Sequence, residues 1–352
     1  MKQKSILSIC ILSVLFLLEC QAQPPVKEVR LDSKHIVYLL DSTDAAKAIT
    51  TDHRDGYFQK IRLTEMSIQM KRELTPTDTR EKMLPEYVAF LKSDVANYSA
   101  DESRFTADVI KKVFETSEKV APGIFPDTIL LIKTKGRHYG DGVWYTRENC
   151  IIIPANELDS KKTNPFTTTM FHELFHVYSR LNPKKSDQLY QIIGFQEIGY
   201  ANLRIPPVLS DRLLHNPDGV DFAQKITLRQ ADGTSIDAIP VLYANQAGYK
   251  AGNTEFFGYL EFNLFQVEKN TDGTWRVLTK EDGLTSTLSI DKQPDFFNQI
   301  KDNTGYIIHP DEVLADNFAF VMGRSKSAAL TAKFSPAGKK LLDDIEQLLK
   351  EK

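Results

Sequence analysis

Two of the chain's seven histidines stand four residues apart in TTMFHELFHVYS (Thr168 to Ser179), with a glutamate directly after the first, inside an apolar segment. In a helix, positions i and i+4 share one face about one turn apart, so the imidazoles of His172 and His176 converge on one point. Zinc accepts neutral imidazole nitrogen at about 2.0 to 2.1 Å, which suits that convergence. Glu173 sits about 100° further round the helix. Its carboxylate reaches the edge of such a site without being forced to ligate, and is free to take a proton from a water. Met170, Leu174, Val177 and Leu181 form a separate apolar stripe that buries the helix. Buried imidazoles and carboxylates need partners, and a metal supplies them. An ordinary helix with two hydrogen-bonded core histidines is the competing reading. The position of the motif, after a strand-rich segment and on a capped helix, favours the metal.

Catalytic zinc keeps three protein ligands and one open position. In HPDEVLADNFAF, Glu312 and Asp316 lie four apart on a predicted helix. One carboxylate can therefore bind the metal while the other accepts a hydrogen bond from a ligand imidazole and fixes its tautomer. The rival third ligand is Glu197 in GFQEIGYAN, twenty-one residues after His176. Glu255 and Glu261 complete the alternatives.

The N-terminus reads MKQKSILSICILSVLFLLECQAQPP, with Lys2 and Lys4 before an uncharged run from Ile6 to Leu18. This is the layout of a secretory signal, residues 1–22, cut after Ala22; a loose lipobox ending at Cys20 is the second reading and the one route to membrane attachment. The mature protein is then extracytoplasmic, periplasmic or secreted. Cys150 is its one certain thiol and cannot form an internal disulfide alone. Stability must come from a hydrophobic core, which a mature chain of about 330 residues is long enough to build. A formal net charge of -3 gives no reason to expect nucleic acid or an anionic membrane as partner.

The remaining chain reads as four regions. Residues 23–122 are mixed and helical, with a strand in IVYLL (Ile36 to Leu40) and two amphipathic helices between Lys82 and Val120. Residues 123–205 hold the motif helix. There DTILLIKTKG and VWYTRENCIIIP suggest one antiparallel sheet, followed by an Asn164 N-cap, Pro165 at the first helical position, and a stop at Asn182-Pro183. Residues 206–295 form a β-rich insert with turns such as Ala231-Asp232-Gly233, and residues 296–352 are helical and carry the proposed third ligand. The fold class expected is α+β, an antiparallel or mixed sheet packed on the motif helix.

HELFH together with a downstream Glu312-Val-Leu-Ala-Asp316 helix resembles the gluzincin group of zinc metallopeptidases. The likeness covers about 70 residues from the strands near Ile129 to Leu181, plus Tyr306 to Phe320. About 135 residues separate His176 from Glu312, far more than is usual in that group, and this leaves Glu197 open. The resemblance implies a zincin-like fold with one zinc ion per chain, held by His172, His176 and Glu312. It implies Glu173 as general base, Asp316 as orienter of a ligand histidine, and Tyr306 or His309 as the oxyanion donor. It also implies a peptide or protein substrate lying as an added strand along an edge, here Trp144 to Cys150. The function expected is peptide hydrolysis through a zinc-activated water. The alternative is a non-catalytic zinc-containing module that uses the β-rich insert to recognise a protein or glycan. No Gly-x-Ser-x-Gly elbow, P-loop or dinucleotide glycine motif is present.

Overall fold

The apolar runs Ile129–Ile132 and Cys150–Ile153 carry almost no polar residue, as strands covered on both faces do. In the computed structural model, which describes residues 24–253, 255–324 and 328–351, both runs lie in the middle of one six-stranded sheet. The segment read as a secretory signal, with Cys20, lies outside the described residues.

The strands of this sheet are β1 (Glu28–Arg30), β2 (Ile36–Leu39), β3 (Val95–Ala96), β4 (Thr128–Thr134), β5 (Tyr145–Arg147) and β6 (Cys150–Pro154). Their main order is β1-β2-β4-β6-β5, with β3 against the far end of β4. β2, β4 and β6 run parallel, whereas β1 and β5 are antiparallel to their neighbours. One antiparallel sheet was the expectation, and the pairing is mixed instead. The hairpin of β5 and β6 inserts so that β6, not β5, lies beside β4. The period of two then divides the side chains. Ile129, Leu131, Ile151 and Ile153 enter one core with the helix Ala100–Val120 and the motif helix Thr163–Leu181. Ile132, Cys150 and Ile152 enter a second core beneath the helices Leu63–Met70 and Arg80–Asp94. Burial pushes the Cys150 thiol up to about 12, so it is inert packing.

The helix Ala100–Val120 begins in a reciprocal cap between Ser99 and Glu102. The motif helix starts at Thr163, not after an Asn164 cap, with Asn164 already in its first turn and no side chain capping it. It stops where expected, because Pro183 opens the helix Pro183–Ile192.

The β-rich region is a second mixed sheet of six strands: β7 (Phe195–Glu197), β8 (Leu203–Arg204), β9 (Gln224–Arg229), β10 (Ser235–Ala244), β11 (Leu260–Lys269) and β12 (Trp275–Val277), in the order β7-β9-β10-β11-β12-β8. It begins before residue 206, since β7 and β8 form its two edges. Ile226, Leu228, Ala238 and Leu264 join the core of the motif helix, while Ile239, Val241, Phe265 and Val267 form a separate apolar cluster. The carboxylate helix Pro310–Gly323 packs on the motif helix, with Phe175 and Phe318 ring to ring at 5.5 Å, and the helix Pro336–Lys350 covers it from outside. The chain is therefore α+β with two mixed sheets. No helix among the described residues is long and apolar enough to cross a membrane.

Candidate metal centre

His172 and His176 project from adjacent turns of the motif helix toward the carboxylate helix, their ring centroids 4.7 Å apart. The Nε2 atom of His172 lies 3.0 Å from Glu312 Oε2, and that of His176 lies 3.4 Å from the same oxygen. The His176 contact is not aligned as a hydrogen bond, so its Nε2 is a buried nitrogen without a partner. One donor atom from each of His172, His176 and Glu312 falls within 4.8 Å of the others. The 135-residue separation is closed by helix packing.

Each donor is held from behind. His172 Nδ1 is 2.9 Å from Asp316 Oδ1, and Asp316 in turn accepts from Thr304 Oγ1. His176 Nδ1 is 2.6 Å from Asp311 Oδ2, and Asp311 also accepts from Ser179 Oγ (3.1 Å) and Tyr190 Oη (2.8 Å). A carboxylate at Nδ1 keeps the proton there and leaves Nε2 to face Glu312. Asn216 Nδ2 donates to Glu312 Oε1 at 2.6 Å, leaving Oε2 for the centre.

Charge follows from these contacts. Burial would lower His172, but its hydrogen bonds to Asp316 and Glu312 prevail and raise it to about 10. Burial likewise opposes ionisation of Glu312, yet the His176 charge and the hydrogen bond from His172 hold it well below the usual carboxylate range. The three donors thus already form a buried cation–anion cluster. A dication would take the place of the Nε2 protons, and the orphaned His176 Nε2 would gain a partner. Two imidazoles and one carboxylate form a fitting donor set for zinc with one position left open.

Glu173 is 4% exposed, and its Oε2 has no hydrogen-bond partner. Burial, reinforced by the Asp218 charge, pushes its carboxyl up to about 8. Glu173, His176 and Asp218 also bring donor atoms within 4.8 Å of one another, so Asp218 is a third acid at the centre. Burial raises it as well. Asp218 is held by Thr146, whose N and Oγ1 donate at 2.5 and 2.7 Å. Arg180, one turn beyond His176, donates to Asp55 Oδ2 and to the carbonyls of Pro217 and Asp218, fastening this loop to the motif helix. Gly219 is required there: a Cβ on it would lie 2.3 Å from His309 Cε1.

The two proposed oxyanion donors separate. Tyr306 lines the cleft, its ring stacked over His172 at 6.0 Å. His309 is buried away from it as the N-cap of the carboxylate helix, where its Nδ1 accepts from Asp311 N (3.1 Å) and its Nε2 donates to Asp221 O (3.2 Å). Burial lowers its pKa, consistent with this neutral tautomer. Of the rival ligands, Glu197 is exposed on β7 beside Tyr190 and Asp221, and Glu255 and Glu261 are exposed as well. None of these three joins the donor group. Asp311, Asn216 and Asp218 were missed by sequence reading. Asp311 stands next to Glu312 in the sequence, but neither it nor the loop residues carried a local signal of these roles.

The expected substrate edge is corrected in part. β5 is the edge strand, but its Thr146 N–H is already taken by Asp218 and the Glu148 carbonyl by Arg180. Gly142–Trp144, just before β5, lines a cleft of about 420 Å³ with His172, Glu173, Glu312, Asp316 and Tyr306; the Gly142 N–H is itself taken by Asn156 Oδ1 at 3.3 Å.

The outer partners yield a prediction. Asp311→Asn and Asn216→Ala should each lower zinc affinity roughly 10- to 100-fold, as loss of such partners generally does. Competition against a chromophoric chelator would read the change, and unchanged affinity in both variants would remove these residues from the site. Compared with known proteins, the chain matches no family model, no curated protein and no solved structure.

Proposed function

We propose that this chain is a secreted or periplasmic zinc-dependent metallopeptidase with a zincin-like arrangement about the motif helix. The observation that carries the reading is the convergence of His172, His176 and Glu312 within 4.8 Å, with Glu173 unpaired at its edge. A structural zinc site closes all four positions with protein ligands; this one offers three and opens on a cleft.

Zinc held by these three residues would supply Lewis acidity to a scissile carbonyl and acidify a water beside it. Glu173, unpaired at the edge of the donor group, accepts that water's proton and returns it to the leaving amine. Asp316 and Asp311 hold the imidazoles in the required tautomer. Tyr306 is the hydroxyl available on the cleft wall for the developing oxyanion. The backbone of Val143–Trp144, on the cleft, is where an extended peptide would add as a strand.

The test is metal content and hydrolysis together. The purified mature protein should carry about one zinc per chain, since both donor groups depend on the same His176, and should cleave peptides. A chelator should remove both properties, and added zinc should restore both. Failure to take up zinc, with the protein folded by circular dichroism, would sink the reading.

A further inference from the structure

Behind the metal donors lies another buried carboxylate, one that the chemistry above does not use. Glu65, on the helix Leu63–Met70, has no solvent exposure. A carboxylate withdrawn from water is costly unless donors satisfy it, so its partners matter. Its Oε1 accepts from Tyr57 Oη and Gln69 Nε2, both at 3.0 Å. Its Oε2 accepts from the backbone N–H of His215 (3.2 Å) and from His215 Nδ1 (2.9 Å). The His215 Nε2 has no partner, so among the described residues Glu65 alone fixes this ring by hydrogen bonding. His215 opens the loop that brings Asn216 to Glu312 and Asp218 to Glu173 and His176. The amide of Asn216 is committed at both ends: Nδ2 donates to Glu312 Oε1 at 2.6 Å, and Oδ1 accepts from Asp218 N at 3.2 Å. A shift of the loop is therefore passed directly to Glu312. On the other side of His215, Leu214 N donates to Leu242 O of β10 at 3.0 Å. The β-rich sheet thus fixes one residue of the chain entering the centre, and the helix Leu63–Met70 fixes the next.

We propose that Glu65 is a positioning residue for the metal centre: by gripping His215 at its backbone and its ring, it places Asn216 against Glu312 and keeps Glu312 Oε2 turned to the metal. The inference rests on the metal-centre reading above. It gives the N-terminal helical region a part in metal binding. The competing account is a polar network that only stabilises the core, since Glu65 also ties Tyr57 and Gln69 together. The two accounts differ in what cutting the contact does. A purely stabilising network lowers the melting temperature and leaves the zinc affinity of the folded protein alone. A positioning carboxylate acts on zinc through Asn216, so its effect disappears once Asn216 is gone.

The experiment is a double-mutant cycle on zinc affinity in the mature protein, read by competition with a chromophoric chelator and with folding checked by circular dichroism. Its members are Glu65→Met, Asn216→Ala and the two together. Methionine keeps the length of the side chain and removes both acceptors. Glu65→Met should weaken zinc binding roughly tenfold, the lower end of the range for an outer partner, because it stands one residue further back. In the Asn216→Ala background the same change should cost less than about twofold more. Glu65→Gln, whose carbonyl can still accept from His215, should recover most of the affinity. Should Glu65→Met not fold, His215→Phe makes the same test, since it keeps the backbone N–H donated to Glu65 and the ring packed near Tyr57 and Phe222 but loses the Nδ1 bond. Wild-type affinity in the folded variant, or equal losses with and without Asn216, overturns the inference and leaves the metal reading standing. A wild type that takes up no zinc overturns both.

Discussion

Glu173→Gln should lower kcat by roughly 100- to 10,000-fold, about 3 to 5.5 kcal/mol of barrier, with zinc content unchanged. The amide keeps the size and polarity of the side chain but cannot accept a proton at neutral pH. Glu173 makes no contact that holds the three donors: its Oε2 has no hydrogen-bond partner, and the groups behind His172, His176 and Glu312 are Asp316, Asp311 and Asn216. Its contribution to stability has a definite sign. Burial, then the Asp218 charge, raise its carboxyl to about 8 from an ordinary 4.5. A carboxyl raised on folding destabilises the native state above its unfolded pKa, and the penalty fades as pH falls through the folded value. Glu173→Gln should therefore melt no lower than the wild type at pH 7, measured without metal. A marked drop in melting temperature together with loss of zinc would identify Glu173 as a structural carboxylate and favour the non-catalytic module.

The parts of this site that were readable in the sequence are those fixed by helical period. His172 and His176, and Glu312 and Asp316, are i, i+4 pairs, so a single helix puts each pair on one face before any tertiary contact is known. Which faces meet is another matter. Asp311 serves His176 because the two helices pack with adjacent turns in register, and nothing local distinguishes it from an acid in an ordinary first turn, where carboxylates are favoured anyway. Asn216 and Asp218 lie in the loop His215-Asn-Pro-Asp-Gly219, whose composition signals only a turn. Their role depends on contact with residues far along the chain. His309 was open to correction from sequence: a residue directly before a proline at the first helical position is the N-cap, and there its ring is drawn to the helix's own free N–H groups. The sheet pairing had a signal too. Runs as apolar as ILLI and CIII mark strands covered on both faces and paired in parallel, not a one-sided antiparallel hairpin.

The second large effect should come from Glu312, compared directly with Glu197. Glu312→Gln should reduce zinc affinity by more than the roughly 10- to 100-fold caused by losing an outer partner, because a charged donor is removed from the centre itself. Glutamine preserves the packing of a side chain that is 1% exposed and can still accept from Asn216, so the fold is kept while the donor is lost. His172 and His176 then face a neutral amide across the 3.0 and 3.4 Å contacts that now engage a carboxylate. Two imidazoles alone leave the metal exposed to competing ligands and buffer. Glu197→Ala should retain full zinc, since that side chain is exposed on β7 outside the donor group. Measuring zinc per chain in both variants, each checked for folding, separates the two ligand assignments. Retention in Glu312→Gln with loss in Glu197→Ala would require the β7 edge to close onto the motif helix. Asp311 and Tyr190, bonded to each other at 2.8 Å beside His176, stand on that side of the helix and would have to give way first.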